Sequence, residues 1–208
     1  MYWTDESYFK FTPDSRILVF DVERDALVDV LEAPCPGLDF ATSDSAGSLY
    51  FSSWVFAPGG AAVLSQPATC VVKLETSDLS LSVPFNVADV MAGHEGGLMR
   101  HLGGESFLLS VLHSEHAPAT DAGDPQTVAN GNNWRFWSYD RTTGSASALD
   151  AIDWNSGGAY AVEVDGTKLM LVPTTDYSAT TAYELGGDGS PRRLFDTSGW
   201  SLRLFELE

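Results

Sequence analysis

All four histidines of this chain lie between positions 94 and 116: His94, His101, His113 and His116. Glu95 follows the first, and Glu115 separates the last two. Imidazole and carboxylate are donors that Zn, Mn and Fe accept, so a divalent metal is the chemistry these residues suggest. His94, Glu95, His113 and His116 are the candidate ligands, with His101 set apart on a strand. The spacing matches no metal motif, neither HxxxH nor HExxH, and ordinary surface-loop histidines are the competing reading.

Other residues invite weaker assignments. Asp121, Asp124, Asn130, Asn132 and Asn133 offer oxygen atoms of the kind calcium takes, but without the Asp-x-Asp-x-Asp-Gly spacing the segment reads as a polar loop. Trp54, Trp154 with its neighbour Asn155, and Trp200 fall at strand ends. There an indole can stack on a carbohydrate or catecholate, or else pack between adjacent sheets. No Gly-x-Ser-x-Gly is present, and Cys35, between Pro34 and Pro36, has no helix N-terminus to activate it, so no catalytic residue is assigned. Gly59-Gly60, in the long segment 55–69, is no phosphate loop, because no Lys follows and no helix is expected there.

Strands must position these groups. Helical periodicity is absent apart from 87–91, whereas short β-branched and aromatic runs alternate with Gly, Asp, Asn and Pro clusters. One unit, a turn followed by an apolar strand, recurs as Gly47-Ser48-Leu49-Tyr50-Phe51, Gly104-Glu105-Ser106-Phe107-Leu108 and Gly166-Thr167-Lys168-Leu169-Met170. A second unit, a strand closed by an acidic residue, a polar turn and another strand, recurs at 17–30, 71–85, 136–152 and 181–195. Gly-marked strands near 38–42, 97–101 and 158–162 complete an order a-b-c-d. That order, repeated every 45 to 65 residues (roughly, from these positions), predicts an all-β propeller of about four four-stranded antiparallel blades. The blades are expected at 1–34 (strands b to d only), 38–90, 96–153 and 157–198, with a last strand at 201–207. An irregular sandwich is the lesser alternative.

Several stretches carry a family resemblance: Gly47-Ser48-Leu49-Tyr50-Phe51-Ser52-Ser53-Trp54, Pro67-Ala68-Thr69-Cys70-Val71-Val72-Lys73, Asn133-Trp134-Arg135-Phe136-Trp137, Asp153-Trp154-Asn155-Ser156-Gly157-Gly158-Ala159-Tyr160 and Gly199-Trp200-Ser201-Leu202-Arg203-Leu204-Phe205. From about residue 40 onward the chain resembles the C-terminal half of myxobacterial β-propeller lipoproteins of the MxcI type, found beside siderophore (myxochelin-type) gene clusters. The resemblance implies a periplasmic, outer-membrane or extracellular, non-enzymatic protein of ferric-siderophore handling, and it supplies no catalytic residue. The lipoproteins' signal peptide, lipobox cysteine and first propeller half have no counterpart here.

Composition bounds the function. The 208 residues carry 29 acidic and 11 basic side chains, a formal charge of −18. Such a surface repels phosphate backbones and anionic lipid, which disfavours nucleic-acid and membrane partners and suits cations, basic proteins or plain solubility. No apolar run approaches the ~20 residues of a membrane span. The function expected is a non-catalytic binding or interaction module for a small-molecule or protein ligand. The alternative is a metal-dependent propeller lyase or hydrolase using His94, His113 and His116. No cofactor beyond a divalent metal is suggested. Cys35 and Cys70 are expected to remain unbridged. The spare strand at 202–205 leaves two arrangements open: a closed four-bladed ring, with that strand beside Met1 to Thr4, or half of a longer ring. The half-ring is favoured, with self-association through its ends.

Overall fold

The computed structural model describes residues 2–3, 9–118, 123–157, 159–174, 176–186 and 190–201. The chain opens with two short strands, β1 (Tyr2–Trp3) and β2 (Phe9–Lys10), which pair with each other. Next come β3 (Ser15–Asp21) and β4 (Ala26–Ala33), a second two-stranded sheet. Three meanders of four strands follow. The first joins β5 (Leu38–Ser43), β6 (Leu49–Ser53), β7 (Cys70–Leu74) and β8 (Leu81–Asn86), with helix α1 (Phe56–Leu64) between β6 and β7. After the short helix α2 (Val87–Val90), the second joins β9 (Gly96–Gly103), β10 (Ser106–Leu112), β11 (Trp134–Asp140) and β12 (Ser145–Ala148), with helix α3 (Pro125–Asn130) between β10 and β11. The third is β13 (Tyr160–Val164), β14 (Thr167–Pro173), β15 (Ala179–Leu185) and β16 (Pro191–Ser198). Among the described residues every strand pairing is antiparallel between neighbours in sequence, and the molecule is a β-propeller of four-stranded blades.

The turn residues explain the repeated acidic position. Asp21 accepts from the backbone amides of Glu23 and Arg24, and Asp140 from that of Thr143, so each closes its hairpin with a side-chain-to-backbone turn. Asp165 and Gly166 both have positive φ, as a two-residue hairpin between right-twisted strands requires.

Apolar side chains fill the seams between sheets. Tyr50, Val71 and Phe85 of the β5–β8 sheet meet Met99, Phe107, Leu109 and Tyr139 of the next. Leu108 and Phe136, on the other face of that sheet, meet Ala161, Met170 and Leu185. β10 is buried on both faces, which is why its sequence is apolar without alternation. The inner strands are also tied by polar bonds: Met99 N–H donates to Ser52 Oγ (2.9 Å) and His101 N–H to Thr42 Oγ1 (3.2 Å). Arg100 spans three sheets, donating from Nε to Ala161 O at 2.7 Å and from Nη1 to Ala41 O at 3.3 Å.

The structure corrects several expectations. Tyr2–Trp3 pairs with Phe9–Lys10 and not with the strand at 17–21, because residues 9–10 supply a nearer partner. Segment 55–69 contains a helix despite Pro58, Gly59 and Gly60, all poor helix formers. Tertiary packing overrides propensity: a Cβ at Gly59 would lie 2.6 Å from Pro125 O, so only glycine lets α1 approach α3 this closely. Cys35 and Cys70 form a disulfide, with Cα atoms 5.7 Å apart. The tight turn in which Cys35 N–H bonds to Ala33 O, followed by Gly37 at φ +59, folds the end of β4 against the start of β7. The strand expected at 201–207, and with it the question of ring closure, lies outside the described residues beyond Ser201.

Candidate metal and ligand site

Two loops at one end of the β9–β12 sheet bring the histidines together. The turn after α2 carries Ala92 and Gly93 at positive φ and swings the chain back toward β9. Glu95 then fixes that chain. Its carboxylate accepts from Thr69 N–H (2.9 Å) and Thr69 Oγ1–H (2.6 Å), and its backbone carbonyl accepts from Leu112 N–H (2.8 Å). His94 is thereby set beside the end of β10, where His113 N–H bonds to Asn133 O and a 3₁₀ turn, Ser114–His116, begins.

The result is a compact group. His94 and His113 have ring centroids 4.1 Å apart. Glu115 reaches both: Oε1 is 3.0 Å from His113 Nδ1 and Oε2 is 3.8 Å from His94 Nδ1. One donor atom from each of the three side chains lies within 4.8 Å of the others. Burial pushes the His113 imidazole below its ordinary pKa, against the pull of Glu115. Burial alone would raise the Glu115 carboxyl, but a backbone amide bond and His113 outweigh it and hold that group below the usual carboxylate range. At neutral pH the pair therefore presents a neutral imidazole and an anionic carboxylate, the protonation states metal binding requires.

Of the ligands expected from sequence, His94 and His113 meet, whereas Glu95 is committed to Thr69. His116 lies against Trp154, with centroids 4.1 Å apart, and its ring centroid is 6.1 Å from that of His113. Glu115 takes the place assigned to those two. Its position two residues after His113, in the 3₁₀ turn Ser114–His116, returns the carboxylate to the same ring. His101 is buried, bonded to Gly104 O at 2.9 Å and stacked on Tyr50, and so belongs to the seam between sheets. The segment read as a polar loop contains the helix α3. Asp124 caps α3 through the amides of Gln126 and Thr127, and Asn133 Nδ2 donates to Val128 O; Asp121 lies outside the described residues.

The aromatic candidates separate. Trp154 borders the histidine group, edge-on to His113 at 5.2 Å, with the Arg135 guanidinium 5.3 Å from its centroid. Asn155 is buried, its backbone bridging to Trp134. Trp54 packs on Phe56 and borders a wide cleft of about 580 Å³ with Phe11, Arg16 and Asp39. Trp200 packs at a tilt against Tyr177, with centroids 5.1 Å apart. Trp137, not singled out as a ligand-binding candidate, stacks near His113 at 6.0 Å.

No protein-family model matches the chain, and no curated protein matches it. Among solved structures, the Dos1 propeller aligns with a TM-score of 0.49 at 10% identity, over 89% of this chain and 42% of that one. TolB from Acinetobacter baumannii aligns with a TM-score of 0.45 at 13% identity, over 88% and 38%. An exo-β-1,3-galactanase from Phanerochaete chrysosporium gives 0.43 at 9% identity, over 78% and 42%. The chain spans about two fifths of the length of each of these structures.

Proposed function

We propose that the chain is a non-catalytic propeller module that works by protein association, in an oxidising, extracytoplasmic compartment. One observation carries the reading. The β3–β4 hairpin turns Leu18, Phe20, Leu27, Val28 and Val30 to solvent, and Phe20 is 57% exposed. The other side of the hairpin is engaged, since Ile17 packs on the cluster around the Cys35–Cys70 bridge. An apolar sheet face of this kind on a propeller is the face a neighbouring blade covers, and contiguous exposed apolar surface marks association sites. The partner is a second apolar sheet face, and the simplest source is another copy of the chain. The disulfide supports the compartment, because such bonds persist where the milieu is oxidising. The resemblance to siderophore-cluster lipoproteins supports a role beside ferric-siderophore handling.

Light scattering on the size-fractionated protein tests the association. A dimer or larger species that becomes monomeric in Leu18→Ser/Phe20→Ser is expected. Association should strengthen with salt, which screens the repulsion between copies of charge −18. A strictly monomeric wild type at high salt would contradict the reading. A metal-dependent enzyme is the second reading, favoured by the His94–His113–Glu115 group alone.

A further inference from the structure

We infer that His94, His113 and Glu115 form a three-ligand site for a divalent transition-metal ion of the zinc class, with a fourth position open to an exogenous ligand. The inference rests on the connections of the β9–β12 sheet, a different sheet from β3–β4, and does not depend on association.

The geometry carries it. Zinc bonds of about 2.0–2.1 Å to nitrogen and oxygen in a tetrahedron place ligand atoms about 3.3 Å apart. The Glu115 carboxylate faces both imidazoles at distances near that edge, Oε1 3.0 Å from His113 Nδ1 and Oε2 3.8 Å from His94 Nδ1. An ion entering between the three side chains replaces the His113–Glu115 hydrogen bond and draws together donor atoms that already lie within 4.8 Å of one another. The ligands come from two connections of one sheet, the turn before β9 and the turn after β10. Both are anchored by backbone bonds, Leu112 N–H to Glu95 O and His113 N–H to Asn133 O.

Packing pre-sets the central ring. His113 is 8% exposed and is held against Trp137 and edge-on to Trp154. Its Nε2 has no hydrogen-bond partner among the described residues, so Nδ1, which faces Glu115, is the one ring nitrogen engaged in a polar contact. A buried imidazole held mainly by aromatic packing, with a carboxylate and a second imidazole at its free edge, loses little on binding a metal because its rotamer is already fixed. Two imidazoles and one carboxylate form a borderline N/O set suited to zinc, manganese or iron and not to calcium. Glu115 is half exposed, so solvent or a small oxygen ligand reaches the fourth position. Trp154 and His116 wall one side of the group, and an anionic or catecholate ligand on the metal would lie against them.

The test is zinc titration of the full chain after chelator treatment, followed by calorimetry and by tryptophan fluorescence with Co²⁺ as a quenching probe. One Zn²⁺ per chain is expected. His94→Ala and Glu115→Gln should each weaken it by at least about tenfold, and His116→Ala should leave it within about threefold. Co²⁺ should quench wild-type fluorescence, through Trp137 and Trp154, and should not quench His94→Ala at the same concentration. His94→Ala and Glu115→Gln alter partly exposed side chains, so retained folding, checked by circular dichroism, separates ligand loss from unfolding. Absence of stoichiometric zinc, full retention of zinc in both variants, or an equal loss in His116→Ala would overturn the assignment.

Discussion

Phe20 and Phe107 sit in strands of the same kind, each paired antiparallel with its neighbour, Phe20 with Leu27 and Phe107 with Tyr139. Phe107 is fully buried between two sheets, whereas Phe20 is 57% exposed. Pairing is satisfied in both places, so hydrogen bonding does not account for the difference. A second sheet packs over Phe107, and none covers Phe20 among the described residues. A propeller strand is thus specified twice, once by its ladder and once by the blade beyond it. β3–β4 has the first without the second.

The sharpest way to break the comparison is to truncate both rings. Phe107→Ala should lower unfolding free energy by about 4 kcal/mol, the cost of a cavity in a sealed seam. Phe20→Ala should change the monomeric chain by no more than about 0.5 kcal/mol in the same urea melts, since it removes no buried contact. Equal losses would mean that the β3–β4 face is covered in solution even in the monomer.

The disulfide comes next. It joins the hairpin's end to β7 and closes a loop of 35 residues in sequence separation. Replacing both cysteines by serine should cost about 3 kcal/mol, mostly through the unfolded chain, with β3–β4 the first region to gain hydrogen exchange. An unchanged melt would show that packing of Ile17 alone holds the hairpin.

Arg100→Met tests the inner ring of strands. Losing its bonds to Ala161 O and Ala41 O should cost about 2 kcal/mol, with no effect on association. Asp124→Ala should cost about 1 kcal/mol by uncapping α3, read as faster proteolysis between β10 and β11.

The smallest expected effect is on pH. His113 is depressed in the folded chain, so acid favours the unfolded state as pH falls below the ordinary imidazole value of about 6.5. Glu115 is depressed too, and its contribution, present above about 4.5, is lost as pH falls further. Both signs agree: acidification from neutrality should destabilise wild type more than His113→Gln, and urea melts at a series of pH values measure the gap. A smaller acid loss in wild type would contradict the dominance of burial over the Glu115 contact at His113.

The repeat order and the hairpin turns were legible because each turn advertises itself locally: Asp21, Asp140 and Asp165-Gly166 do their work within a few residues. Of the helices, α2 answers the periodicity read at 87–91, whereas α1 was not legible. α1 carries a sequence that propensity rejects and stands only because Gly59 admits Pro125 of α3, a contact between segments far apart in the chain. α3, by contrast, did leave a signal, Asp124 followed by Pro125, the residues that start a helix. At the site, residue types pointed to His94 and His113, but the third partner depended on which carboxylate was already engaged. Thr69 claims Glu95 across 26 positions, and Glu115 remains. The disulfide was missed for the same reason, since a turn at Gly37 decides whether neighbouring blades bring two cysteines within bonding reach.

Hydrogen exchange measured over a concentration series tests the central claim most directly. If the apolar face of β3–β4 is an association surface, the amides of Val28 to Val30 should slow as protein concentration rises, while those of β10, already sealed on both faces, stay slow throughout. Rates for β3–β4 that are independent of concentration at high salt would contradict it.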